Sequence, residues 1–161
     1  FMLMYSPTHL FLIPGVLFMG LGMILMLVLL GGPVRILGHD FDVHFVVLGG
    51  MLTLLGYQVI SLGVFAKSIS QRMNLLVKDR FLNWMQKGFT LEKGLVIGLA
   101  VMTIGLAINL YILVTWIASG FGPLALIRQS IVGMTFLVMG IQTMFSSFIL
   151  SMLFLRTDQS S

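Results

Sequence analysis

Apolar residues run along the chain in four long blocks, and polar residues fall mainly between them. The blocks cover about residues 10–30, 44–65, 94–116 and 131–155. Each is near the roughly 20 residues that a helix needs to cross a 30 Å hydrocarbon core. None carries the polar stripe that marks the outer face of a soluble helix. Pro14 falls in the opening turns of the first block, where proline costs a helix least. The pattern predicts an all-α fold class: a polytopic membrane protein, built as a four-transmembrane-helix bundle with a cytoplasmic interfacial amphipathic helix. Residues 1–161 form one membrane domain in this reading.

The interfacial helix is expected in the link 66–93. There Met73, Val77, Phe81, Trp84 and Met85 recur at helical spacing, with Lys78, Arg80, Asn83 and Lys87 elsewhere around the turn. Such a helix lies in the headgroup zone with its bases toward anionic lipid. A solvated loop whose charges only fix topology is the competing reading. Thr90 is placed to cap the third span, with Glu92 in its first turn.

Within the blocks, glycines recur seven apart: Gly15 and Gly22; Gly49, Gly56 and Gly63; Gly98 and Gly105; Gly133 and Gly140. Seven residues are close to two turns, so each series marks one helix face where backbones can approach closely. The same faces also suit contacts in a homo-oligomer. Polar groups at membrane depth are few, chiefly Gln58, Asn109, Gln142 and Ser146, with Tyr57, Ser61, Thr115, Thr143 and Ser147 beside them. None is ionised at neutral pH. Interhelical hydrogen bonding is one use for them; a groove that holds a lipid chain or headgroup is the other.

Composition agrees with the pattern. Of the 161 residues, 58% are hydrophobic and 9% charged, and the mean hydropathy is +1.09. Soluble domains carry roughly 25% charged residues. The chain has no cysteine, which excludes disulfides, thiolate metal sites and a cysteine nucleophile. A net charge of +4 in so apolar a chain does not make a nucleic-acid surface. The chain opens on Phe1 rather than methionine, so a start inside a longer protein is expected.

The placement of charge orients the spans. The link between the second and third blocks holds Lys67, Arg72, Lys78, Arg80, Lys87 and Lys93 against Asp79 and Glu92, whereas the two opposite links hold only Arg35 and Arg128 as bases. The positive-inside rule then puts this link and both termini in the cytoplasm. The stretch "HDFDVH" from His39 to His44 falls on the far face. Oxygen and imidazole ligands there could hold a divalent ion, but Asp42 is better read as a cap on the second span, with His39 and His44 beside it. No metal site is expected in this chain.

The segments "YSPTHLFLIPG" (Tyr5–Gly15), "LGHDFDVHFVVLGGMLTLLGYQVISLGVFAK" (Leu37–Lys67), "FTLEKG" (Phe89–Gly94) and "SGFGPLALIRQSIVGMTFLVMGIQTMFSSFILSML" (Ser119–Leu153) resemble the C-terminal membrane region of family 2 glycosyltransferases of the polyprenyl-phosphate or dolichyl-phosphate sugar synthase kind. The resemblance implies an upstream cytoplasmic α/β catalytic domain that uses a nucleotide sugar and a divalent metal, Mg or Mn. It implies sugar transfer to polyprenyl phosphate, in a bacterial or archaeal plasma membrane. The catalytic domain is absent from this chain, so no catalytic residue carries over and the fragment alone is expected to be inactive. Membrane lipids, polyprenyl phosphate and the catalytic domain are the expected partners. Arg72, Lys78, Arg80 and Lys87 are the candidates for contacting lipid phosphate. The alternative is a small non-enzymatic membrane protein, acting as an assembly partner or a translocator of lipid or sugar-lipid.

Overall fold

The structure, a computed structural model, describes residues 8–36, 39–72, 91–121 and 126–155. Four helices account for most of them: α1 (Ile13–Leu30), α2 (Val43–Arg72), α3 (Leu91–Ala118) and α4 (Ile127–Leu155). All four are long and apolar enough to span a bilayer. The chain is an all-α, multi-pass membrane protein. Pro14 sits in the first turn of α1, and the chain enters through a wide π-type turn, Thr8–Leu12. A proline has no amide to give the preceding turn, so a widened entry satisfies the local geometry. Between α1 and α2 runs a short antiparallel ladder of β1 (Val34–Ile36) and β2 (His39–Phe41), with Arg35 opposite Asp40.

Three helices outrun the boundaries that hydropathy alone suggests, α3 by two or three residues at each end and the other two by more. α2 continues past 65 to Arg72 and takes in Lys67, which is buried; α4 opens at Ile127 and takes in Arg128. Backbone hydrogen bonding does not stop where hydrophobicity falls, and long cationic side chains let a helix run on into the headgroup zone. Glu92 lies in the first turn of α3. The amphipathic reading of the link, with Lys78, Arg80, Lys87 and the Thr90 cap, falls on residues outside those described.

The packing is inverted relative to a soluble protein. Only 17–28% of each span is buried, and large side chains such as Leu27, Val96 and Met152 face outward. Small residues make up much of the interior, among them Gly15, Gly22, Gly98, Gly105, Thr53, Thr135 and Ser147, beside a few larger ones such as Met26, Leu29 and Val46. The three hydroxyls donate to carbonyls four residues back, Thr53 to Gly49 at 2.8 Å, Thr135 to Ile131 at 2.8 Å and Ser147 to Thr143 at 2.7 Å. In a medium without water these local bonds remove the cost of burying a hydroxyl.

The glycines set the helix separations. A Cβ on Gly56 would strike the Met19 backbone nitrogen and lie 2.6 Å from the Gly15 carbonyl oxygen. A Cβ on Gly140 would strike the Met102 backbone nitrogen and lie 2.7 Å from the Gly98 carbonyl oxygen. Gly22 faces Gly49 in the α1–α2 pair, Gly105 faces Gly133 in the α3–α4 pair, and Gly63 faces Phe11 and Leu12.

These contacts form one pattern used twice. Gly15, Met19 and Gly22 of α1 stand 83 positions before Gly98, Met102 and Gly105 of α3; Gly49, Gly56 and Gly63 of α2 stand 84 before Gly133, Gly140 and Ser147 of α4. The molecule is therefore two similar helical hairpins. Their main contact is between α2 and α4, giving the order α1–α2–α4–α3. An approximate two-fold axis between two parallel central helices produces this arrangement.

One ion pair ties the hairpins together at the β end, where α1 ends and α2 and α4 begin. Asp42, directly before α2, accepts hydrogen bonds from Arg128 of α4 and from the Val43 amide, and its carbonyl takes the Phe45 amide at 2.9 Å. These contacts, led by the Arg128 hydrogen bond, hold the Asp42 carboxyl below the usual aspartate range; His44 contributes only a weak field.

Two outcomes follow from this packing. Gly56→Ala and Gly140→Ala force helices apart and should each cost about 1–3 kcal/mol, typical of overpacking, whereas Gly20→Ala, which meets nothing within 4 Å, should not. Thermal unfolding of the purified protein in detergent measures all three. Because the folded-state pKa of Asp42 is lowered, its contribution is complete above the unfolded value of about 3.9 and is lost as pH falls through the folded one. Acid titration of the melting temperature should show this loss below about pH 4, and Asp42→Asn should remove it.

Candidate polar groove between the central helices

α2 and α4 run in the same direction but do not stay equally close. Near the β end a Cβ on Gly50 would lie 3.0 Å from Thr135 Oγ1 and 3.4 Å from Ile131 Cγ2. Farther along, the helices are bridged by a side chain, Tyr57, whose hydroxyl lies 2.8 Å from Thr143 Oγ1. Thr143 already donates to the Met139 carbonyl at 2.7 Å, so Tyr57 is the donor to Thr143. Beyond this bridge, space opens on both sides of the seam: a cavity of about 380 Å³ on one side and one of about 160 Å³ on the other. Both are lined by Tyr57, Ser61, Phe65 and Ser146.

The larger cavity combines apolar walls with a few polar groups. Phe65, Leu62, Phe145 and Ile149 supply the walls; Gln58, Gln142, Ser61 and Ser146 supply amides and hydroxyls. Ser61 donates to the Tyr57 carbonyl at 2.9 Å. Gln142 Oε1 is buried and has no hydrogen-bond partner. Gln58 and Gln142 lie near the middles of the spans Val43–Ser70 and Ile127–Leu153. The groove thus runs from membrane mid-depth toward the end where α2 finishes and α3 begins.

The repeat explains why these residues converge. Gln58 and Gln142, Ser61 and Phe145, Leu62 and Ser146, and Phe65 and Ile149 are each 84 positions apart, so the cavity is lined by matched positions of the two hairpins. Apolar pockets with a few placed polar groups are the usual form of small-molecule sites, and 300–1,000 Å³ is their usual size.

The polar residues singled out in the sequence are separated by the fold. Gln58, Gln142 and Ser146 meet in the groove. Asn109 instead belongs to the α3–α4 interface, where it donates to the Gly105 carbonyl at 2.9 Å, takes the Ser130 hydroxyl at 3.3 Å and covers Gly133. Arg72 is the last residue of α2, and Lys78, Arg80 and Lys87 lie outside the described residues. Among the described residues no group of three His, Asp or Glu side chains converges as a metal site would require. Two features were not anticipated: the Asp42–Arg128 pair, and the aromatic walls Phe65 and Phe145. The first joins residues 86 apart, Asp42 reading alone as a helix cap and Arg128 as a topology charge; the second has no signal in a chain rich in phenylalanine.

The profile of the glycosyltransferase family 2 C-terminal transmembrane region matches residues 64–154. The chain is also 36% identical over 155 residues to a Haloferax volcanii protein named low-salt glycan biosynthesis hexosyltransferase Agl6. That alignment takes in 95% of this chain and 37% of the relative, so the chain spans little more than a third of the relative's length. No solved structure matches. The chain belongs to the glycosyltransferase family 2 C-terminal transmembrane region and is a glycosyltransferase membrane module.

Proposed function

We propose that this module anchors a glycosyltransferase and positions its lipid acceptor, polyprenyl phosphate, for transfer of a sugar from a nucleotide sugar. The observation that supports this most is the α2–α4 groove, which is open to lipid and walled by Phe65, Leu62, Phe145 and Ile149. A prenyl chain lying there leaves its phosphate at the end of α2. Arg72, Lys78, Arg80 and Lys87 cluster in sequence at that end. Each basic residue near a membrane surface contributes about 1 kcal/mol toward an anionic headgroup. The positive-inside reading puts this end, and both termini, in the cytoplasm.

Catalysis itself belongs to an upstream cytoplasmic domain in this proposal. A divalent metal, Mg or Mn, belongs to that domain too in this proposal, as the family resemblance implies. The module's contribution is orientation. Holding the acceptor phosphate at a fixed height and direction converts a search through the bilayer into a near-unimolecular encounter.

The complete protein, carrying a catalytic domain ahead of residues 1–161, should transfer sugar to polyprenyl phosphate in vesicles, while residues 1–161 alone should not. Activity in the short form, or none in the complete form, would count against the proposal. Filling the groove with Ser61→Phe or Ser146→Phe should raise KM for polyprenyl phosphate about tenfold, the effect of roughly 1.4 kcal/mol. KM for the nucleotide sugar should stay unchanged.

A further inference from the structure

A prenyl chain accounts for the walls of the groove but not for its deep end. Hydrocarbon gives Gln142 Oε1 no donor, yet this acceptor is buried without a partner next to the cavity that Gln58 also lines. Polar side chains at mid-membrane depth are costly and tend to mark binding sites or pathways. Sites built between membrane repeats lie near the bilayer midplane at the repeat interface. Gln58 and Gln142 hold that position, as matched residues of the two hairpins.

The chemistry of the lining restricts the ligand. No Lys, Arg, His, Asp or Glu lines the cavity, so nothing there would offset the charge of a phosphate taken to that depth. The unpaired group is an acceptor, so the ligand brings a donor. Phe65 and Phe145 offer apolar faces to the rest of it.

We propose that the α2–α4 groove binds an uncharged lipid alcohol, hydroxyl end inward. For this Gln142 turns its unpaired Oε1 out of its buried position into the cavity to accept from the hydroxyl, the Gln58 amide donates to the hydroxyl oxygen, and the chain lies along Phe65 and Phe145. The alcohol and the chain of a phosphorylated carrier would share the same walls, so the two exclude one another. That last consequence rests on the acceptor-positioning role; binding of the alcohol does not.

The test uses residues 1–161 in lipid nanodiscs with three photoactivatable probes: a long-chain prenol, its phosphate ester and the matching hydrocarbon without a hydroxyl. Labelled positions are mapped by mass spectrometry. The prenol should label groove positions such as Phe145 and Ile149, and untagged prenol should compete where untagged hydrocarbon does not. Gln142→Met, close in size and unbranched, should reduce prenol labelling about fivefold, as loss of one hydrogen bond in a membrane does. A thermal melt matching that of the parent chain shows that the variant is folded, and Gln58→Met gives an independent second reading. Equal labelling by prenol and hydrocarbon, or labelling unmoved by both substitutions, overturns the proposal and leaves an apolar chain site only. Preference for the phosphate ester at the Gln142 level also overturns it. In the complete enzyme, prenol should inhibit transfer competitively against polyprenyl phosphate. Failure of transfer altogether would strike the acceptor role and leave the labelling result standing.

Discussion

Backbone-to-backbone approach at the glycines is the constraint on which the rest of this molecule depends. Lipid tails are as apolar as leucine, so helices gain nothing by hiding leucine from them. What remains is contact at short range, and that requires positions without a side chain. Gly15, Gly22, Gly49 and Gly56 provide it in one hairpin, and Gly98, Gly105, Gly133 and Gly140 in the other. Larger side chains such as Leu27 and Val96 are turned outward to the lipid.

This constraint also determines where space is left between the helices. Inside each hairpin the separation of helices is fixed by glycine against backbone, and an added methyl has no room. Between the hairpins the contact changes along its length. It is close at Gly50 and Thr135, bridged by the Tyr57 side chain at mid-depth, and open beyond. A tyrosine serves as a spacer there: its ring keeps α2 and α4 apart while its hydroxyl ties them to a fixed distance. The cavity is a consequence of packing two tight units along a looser seam.

The sequence made some of this plain and concealed the rest. The spans and the glycine faces were legible, because a period of seven survives any apolar neighbours. The repeat was not, because beyond its glycines and the Gln58–Gln142 match most aligned positions exchange one apolar residue for another. Polar residues at membrane depth could be counted, but their grouping depends on how α4 is rotated against α2 and α3. That rotation sends Gln142 to the seam, and leaves Asn109 to the other face of α4 to cover Gly133. The Asp42–Arg128 pair escaped notice for a related reason: a carboxylate before one helix and a guanidinium in the first turn of another each have a sufficient local explanation.

That ion pair bears on the direction in which the groove opens. Two rigid hairpins joined along one seam can separate at either end, and a tie at one end favours separation at the other. Asp42 and Arg128 make the tie at the β end, and Val46, fully buried one turn along α2, lies behind it. The wider cavities lie toward the opposite end, past Tyr57. In the proposed acceptor-positioning role, a lipid chain would meet the loose end of the seam first and reach as far as the Tyr57–Thr143 bridge at mid-depth. The bridge closes the seam at mid-depth, and the matched Gln58 and Gln142 stand beside it at the inner end of the cavity. Under that proposal, what the module contributes is a depth of insertion rather than any single strong contact.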